Sequence, residues 1–195
     1  MNSRILGTVL ATAALAASSV AGGGPARPAG LGPPRALEIS IVEAEAFPYC
    51  AISHTGPYTD MPFVSEDLVG AMQAQGLLVR ILGPLVGVFY NWTPDTPPEE
   101  LEWEVGFVIE AQSTTLPPLM IKVWDYKTVA RARYVGPYEE SGEAVAEIMD
   151  WLAAEGYDVA GPVTERFLDQ NPAAVDPDQR QTEIWVPCIR PERTK

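Results

Sequence analysis

The chain carries one pattern twice, and this repetition constrains its fold more than any other feature. Gly56-Pro57-Tyr58 returns as Gly136-Pro137-Tyr138 after 80 residues. Gly83-Pro84 returns as Gly161-Pro162 and Phe89 as Phe167, each after 78, and Pro98 with Glu104 returns as Pro177 with Glu183 after 79. So small a drift in spacing implies a duplicated structural unit rather than scattered turn dipeptides. Two such units are expected to share a core about a pseudo-twofold axis, with the groove between them as the natural ligand site.

Periodicity fills in each unit. In the first, residues 37–111, a strand is expected over 39–54, broken near Pro48. A helix over 62–75 puts Val64, Leu68, Ala71 and Met72 on one face before Gly76 stops it. Strands over 85–90 and 103–109 follow, joined by a loop carrying Pro94, Pro97 and Pro98. Residues 112–118 link the units, and Pro117-Pro118 forbids regular structure there. In the second unit, residues 119–190, a strand region over 121–135 precedes the strongest helix, 141–155. Val145, Ile148, Met149 and Leu152 form its apolar stripe, and Gly156 ends it. Strands over 163–168 and 182–187 close the unit. The fold class is α+β: two β-α-β-β modules, an antiparallel sheet, helices on one face and the ligand groove on the other.

Strand alternation nominates the groove residues. Placing Ile184 and Val186 under a helix sends Glu183 and Trp185 to the groove, and Glu104 likewise lies opposite Val105 and Phe107. Assigning Leu168 to the core turns Val163, Glu165 and Phe167 toward the groove, opposite Leu85, Gly87 and Phe89 of the matching strand. The expected site holds Glu165, Glu104 and Glu183 among Phe89, Phe167 and Trp185, with Tyr58, Tyr138 and a lid-like Trp92 at turns and loops.

Residues outside the repeat bear on destination and chemistry. A positive start, an apolar run over 5–17 and small residues up to Ala21 read as a secretory signal over 1–21. The Gly/Pro-rich stretch 22–36 reads as a flexible leader, so the folded domain is expected over 37–195 of an exported, periplasmic or secreted, protein. No other stretch is long and apolar enough to insert in a membrane after signal cleavage. A formal net charge of −13 opposes binding to nucleic acids. Cys50 and Cys188 point into the core by alternation; export permits a disulfide between them, and two buried thiols are the alternative. His54 is the only histidine and no Cys/His cluster has metal-ligand spacing, so no metal site or cofactor is expected. Asn91-Trp92-Thr93 also fits a glycosylation sequon.

Gly136-Pro137-Tyr138, the run from Gly161 to Leu168 (GPVTERFL), Asp176-Pro177 and Thr182-Glu183-Ile184 together resemble the GyrI-like, or AraC-type effector-binding, domain. That family is named for a gyrase inhibitor and also forms the drug-sensing half of some multidrug-responsive transcription regulators. The resemblance implies a central aromatic pocket. It also implies that Glu165, matching the carboxylate that meets lipophilic cations in such sensors, anchors an aromatic or cationic ligand in a monomeric, stand-alone domain. The resemblance further opens two alternatives. One is hydrolysis of strained electrophiles, with Glu165 acting on water and Trp185, Tyr138 or Tyr58 orienting the ligand. The other, through the related SOUL-type fold, is haem or tetrapyrrole binding.

Overall fold

A computed structural model describes residues 37–92 and 95–191; the expected signal and leader lie outside them, as do Thr93 of the sequon and Pro94. Its elements are β1 (Ser40–Glu43), β2 (Phe47–Thr55), α1 (Met61–Ala74), β3 (Ile81–Phe89), β4 (Glu102–Ile109), β5 (Met120–Trp124), β6 (Thr128–Val135), α2 (Ser141–Glu155), β7 (Asp158–Val159), β8 (Val163–Phe167) and β9 (Gln181–Ile189). The strands make an open nine-stranded antiparallel sheet. Eight run in the order β1-β6-β9-β8-β3-β4-β2-β5, and β7 pairs with β9 off that path. Read outward from the central β8–β3 pair, both sides have the same build: β8-β9-β6 with α2, and β3-β4-β2 with α1.

Both helices form where the apolar stripes predict. Each begins after a Gly-Pro-Tyr turn that runs through one short 3-10 turn, Tyr58–Asp60 or Tyr138–Glu140. Helix α1 buries Met61, Val64, Leu68 and Met72, and α2 buries Ala144, Ile148 and Leu152. Gly156, at φ 75°, takes the left-handed conformation that ends α2. The buried side chains of both helices join Cys50, Val105, Ile109, Ile184, Val186 and Cys188 of the sheet in one continuous core.

The expected strand over 39–54 divides at 44–46, and the strand region over 121–135 divides at 125–127. At each division the chain changes partner: β1 pairs with β6 but β2 with β4 and β5, whereas β5 pairs with β2 but β6 with β9. Three residues reach at most about 15 Å from the last Cα of one strand to the first of the next, yet they join opposite ends of the sheet. The sheet must therefore curl away from the helices. Inside the curl Phe47 and Trp124 reach across to Trp185, at 6.2 and 5.2 Å between ring centroids, and cover Ala51, Val86, Val88 and Val129 as a second core.

Curling also bears on the choice between a disulfide and two buried thiols. Cys50 on β2 and Cys188 on β9 are both free and buried. Four strand positions separate them, about 19 Å along the sheet at about 4.8 Å per strand. A bridge tolerates no more than about 7 Å between Cα atoms, and both thiols lie on the outside of the curl, where bending spreads side chains apart.

Candidate functional site

Strand phase divides the nominated residues between the two faces. Strands β9 and β4 follow the predicted alternation, with Ile184, Val186 and Val105 under the helices and Glu183, Trp185 and Glu104 on the inside of the curl. Strands β8 and β3 take the opposite phase. Glu165 pairs with Ile184 on one side and Gly87 on the other, so it shares their helix-covered face, and Val163, Phe167 and Phe89 belong to the same core. The single expected groove is thus two separate places. Leu168, the residue that set the phase, lies past the end of β8 and is only half-buried.

On the helix face, Glu165, Phe167, Phe89, Tyr58 and Tyr138 come together. Tyr58 meets Phe89 edge-on at 5.1 Å and Trp103 at 6.4 Å, while Tyr138 meets Phe167 at 5.0 Å. The two hydroxyls hold the loops that follow β3 and β8. Tyr58 donates to the Asn91 carbonyl at 2.6 Å and Tyr138 to Asp169 Oδ2 at 3.1 Å. Trp92, next to Asn91, is half-buried and packs against this core.

Glu165 is 1% exposed. Ser141, the first residue of α2, donates its hydroxyl to Oε1 at 2.9 Å, and Oε2 is buried with no hydrogen-bond partner. Burial pushes the carboxyl up to about 7, against the pull of the Ser141 bond. Its charge is felt across the site: the Tyr58 phenol is pushed up by burial and then by Glu165. Arg131 and Arg133 do not neutralise it, because alternation places both inside the curl. There Arg131 lies 3.9 Å from Glu183 and Arg133 donates to Gln181. Opposite Glu165, Gly87 contributes no side chain. A Cβ there would lie 2.8 Å from Phe89 Cζ and 3.6 Å from Phe167 Cε2, so these two rings fill the space beside the carboxylate.

The other two nominated glutamates already have partners. Glu104 Oε2 accepts from the Tyr49 hydroxyl at 2.8 Å, and Oε1 accepts from the Ser53 hydroxyl at 3.0 Å and from the Lys122 ammonium. Glu183 accepts from Arg166 at 2.9 Å, and the Arg166 guanidinium stacks 4.5 Å from the Trp185 ring. Trp185 therefore belongs to the second core and does not meet Glu165. His54 Nε2 lies 3.0 Å from Asp60 Oδ2 and its ring packs 4.8 Å from that of Trp103, which leaves the imidazole committed. Among the described residues no group of His, Cys, Asp and Glu could hold a metal ion, and no helix is long and apolar enough to cross a membrane.

Two residues of the helix-face site were not nominated from the sequence. Trp103 precedes Glu104 and so must face away from it, toward the helices, where its indole N–H donates to the Gly56 carbonyl at 2.8 Å. Ser141 stands at the start of the strongest helix, a position that projects over the sheet.

No curated protein sequence matches the chain. Among solved structures it is similar to the crystal structure of the EcmrR C-terminal domain, with a TM-score of 0.69 and 14% identity, over 80% of this chain and 100% of that one. In EcmrR bound to DNA the likeness spans only 58% of the longer chain. The fold is likewise similar to that of a hydrolase from Listeria innocua, with a TM-score of 0.58 and 13% identity over 78% and 92% of the two chains. SAV2435 bound to tetraphenylphosphonium gives a TM-score of 0.55 and 11% identity over 78% and 94%. Likeness at these identities shows the fold. The family model of the GyrI-like small molecule binding domain matches residues 37–189, and the chain belongs to that family.

Proposed function

We propose that this chain is an exported, monomeric protein that binds small aromatic or lipophilic cationic molecules on its helix-covered face, with Glu165 as the anchor. The observation that carries this reading is a buried carboxylate with one unpartnered oxygen among Tyr58, Phe89, Tyr138 and Phe167. A carboxylate so placed is costly to ionise alone, and a cation brought beside it supplies the missing partner. Aromatic faces add cation–π attraction of roughly 0.5–2 kcal/mol each when desolvated. Entry requires Phe89 and Phe167 to swing off Gly87, which uncovers a space floored by backbone and walled by the carboxylate. Binding of tetraphenylphosphonium by SAV2435, which shares the fold, supports the choice of ligand class. The apolar run over 5–17 supports export.

Calorimetric titration with tetraphenylphosphonium tests the site. Affinity should rise between pH 6 and 8, with proton release on binding, because a bound cation favours the ionised carboxylate. Glu165→Gln should weaken binding at least tenfold without unfolding the protein. An unchanged affinity in this variant would remove Glu165 from the site. Recovery of the ligand intact is expected, and a water-added product from a strained electrophile would make the protein a hydrolase instead.

A further inference from the structure

The inside of the curl holds a cavity of about 220 Å³ at one end of the second core, lined by Tyr49, Val88, Tyr90, Lys122, Trp124 and Tyr126 among others. The sheet separates it from Glu165, whose side chain points to the other face. Its walls are three tyrosines and a tryptophan. Its polar groups are the tyrosine hydroxyls, which donate or accept, and the Lys122 ammonium and Trp124 indole N–H, which only donate. Glu104 does not line the cavity, and both of its oxygens already have partners in Tyr49, Ser53 and Lys122. Lys122 is different. Its ammonium reaches Glu104 and lies 5.8 Å from the centre of the Tyr90 ring, and with three N–H groups it keeps at least one beyond those partners. Lys122 is also 36% exposed and stands on β5 at the open end of the sheet, which gives a ligand a way in.

The other half of the molecule fills the equivalent space from within. One residue before Phe167, Arg166 reaches Glu183 at 2.9 Å and spreads over Trp185. One residue before Phe89 stands Val88, whose short side chain leaves room where the guanidinium lies in the other half. The cavity is thus a gap in the second core, with aromatic walls, a cation at its mouth and no carboxylate in its lining.

We infer that this cavity is a second binding site, for a planar aromatic acid of one or two rings whose carboxylate meets Lys122 and whose ring packs between Trp124, Tyr49 and Tyr90. The volume falls short of the roughly 300–1,000 Å³ typical of drug-sized ligands, which limits the occupant to a compact ring system. Its charge class is opposite to that proposed for the Glu165 site, and neither site needs the other.

Titration of the full chain with 2-naphthoate tests the inference. Saturable one-to-one binding is expected, weakened at least tenfold when the carboxylate is replaced by the neutral 2-naphthamide. Lys122→Met should weaken 2-naphthoate at least tenfold. Because that change removes the cation beside buried Glu104, Tyr90→Ala, at a side chain 43% exposed, serves as the variant that keeps the fold, and should weaken binding at least threefold. Glu165→Gln should leave it unchanged. Absence of saturable binding, equal affinity for acid and amide, or loss in Glu165→Gln with retention in Tyr90→Ala would each overturn the second site.

Discussion

Glu165 concentrates the physical tension of this protein in one carboxyl group. Its folded value, about 7, stands above the ordinary 4.5. A group raised in this way contributes its stability fully below the unfolded value and loses it as pH rises through the folded one. Between pH 5.5 and 8 the wild type should therefore lose about 2 kcal/mol relative to Glu165→Gln. Urea denaturation of both proteins at the two pH values reads the gap directly, and a constant gap would show that the carboxyl is not held protonated. Gly87 is the complementary case. Adding a methyl at 2.8 Å from Phe89 Cζ forces that ring aside. Gly87→Ala should thus cost about 1–3 kcal/mol of stability, read as a lowered urea midpoint; an unchanged midpoint would mean that the ring moves freely. The sequence made the type and address of Glu165 legible through its place after a Gly-Pro turn, but not its side of the sheet. Each side of β8 mixes polar with buried residues, Val163, Glu165 and Phe167 on one and Thr164 and Arg166 on the other, and a single misplaced residue, Leu168, reversed the phase.

Helices were more legible than strands because a helix in this molecule has one buried side and a strand has two. The stripes Val64-Leu68-Met72 and Ile148-Leu152 repeat with a helical period against a polar background. Strand β3, Ile-Leu-Gly-Pro-Leu-Val-Gly-Val-Phe, is apolar at nearly every position because one set of side chains packs under the helices and the other inside the curl. Alternation cannot rank two apolar faces. The divisions at 44–46 and 125–127 were hidden for a related reason: a change of strand partner is a tertiary event and leaves no local turn signature. Close strand pairing makes a further prediction. At Gly106 a Cβ would lie 2.6 Å from the Cys50 carbonyl oxygen and 2.8 Å from Ala51 Cβ, and backbone cannot step aside as a ring can. Gly106→Ala should disrupt β2–β4 pairing and cost more than Gly87→Ala; amide exchange over Tyr49–Ser53 should accelerate, and intact protection there would contradict the packing.

At the scale of the whole molecule, one core runs beneath both helices and across the β8–β3 pair, so the two halves should unfold together. A single transition, coincident by tryptophan fluorescence and far-ultraviolet circular dichroism, is expected, and two separated transitions would refute a shared core. Denatured, unreduced protein should titrate two thiols, as the separation of Cys50 and Cys188 requires; none would show that they had been linked. The two sides of the sheet have the same order of strands and helix, while the residues that distinguish them, Glu165 against Gly87 and Arg166 against Val88, were legible as residues but not as places. The central strand pair has one more consequence. Strands β3 and β8 meet antiparallel, Leu85 opposite Phe167 and Phe89 opposite Val163, and each occupies the same position in its own half. A fragment ending near residue 118 would lack β5 and β8 and so bare the edges of both β2 and β3, and the partner best shaped to cover β3 is β3 of another fragment, with Gly87 facing Gly87 across the seam. Such a fragment should sediment as a dimer.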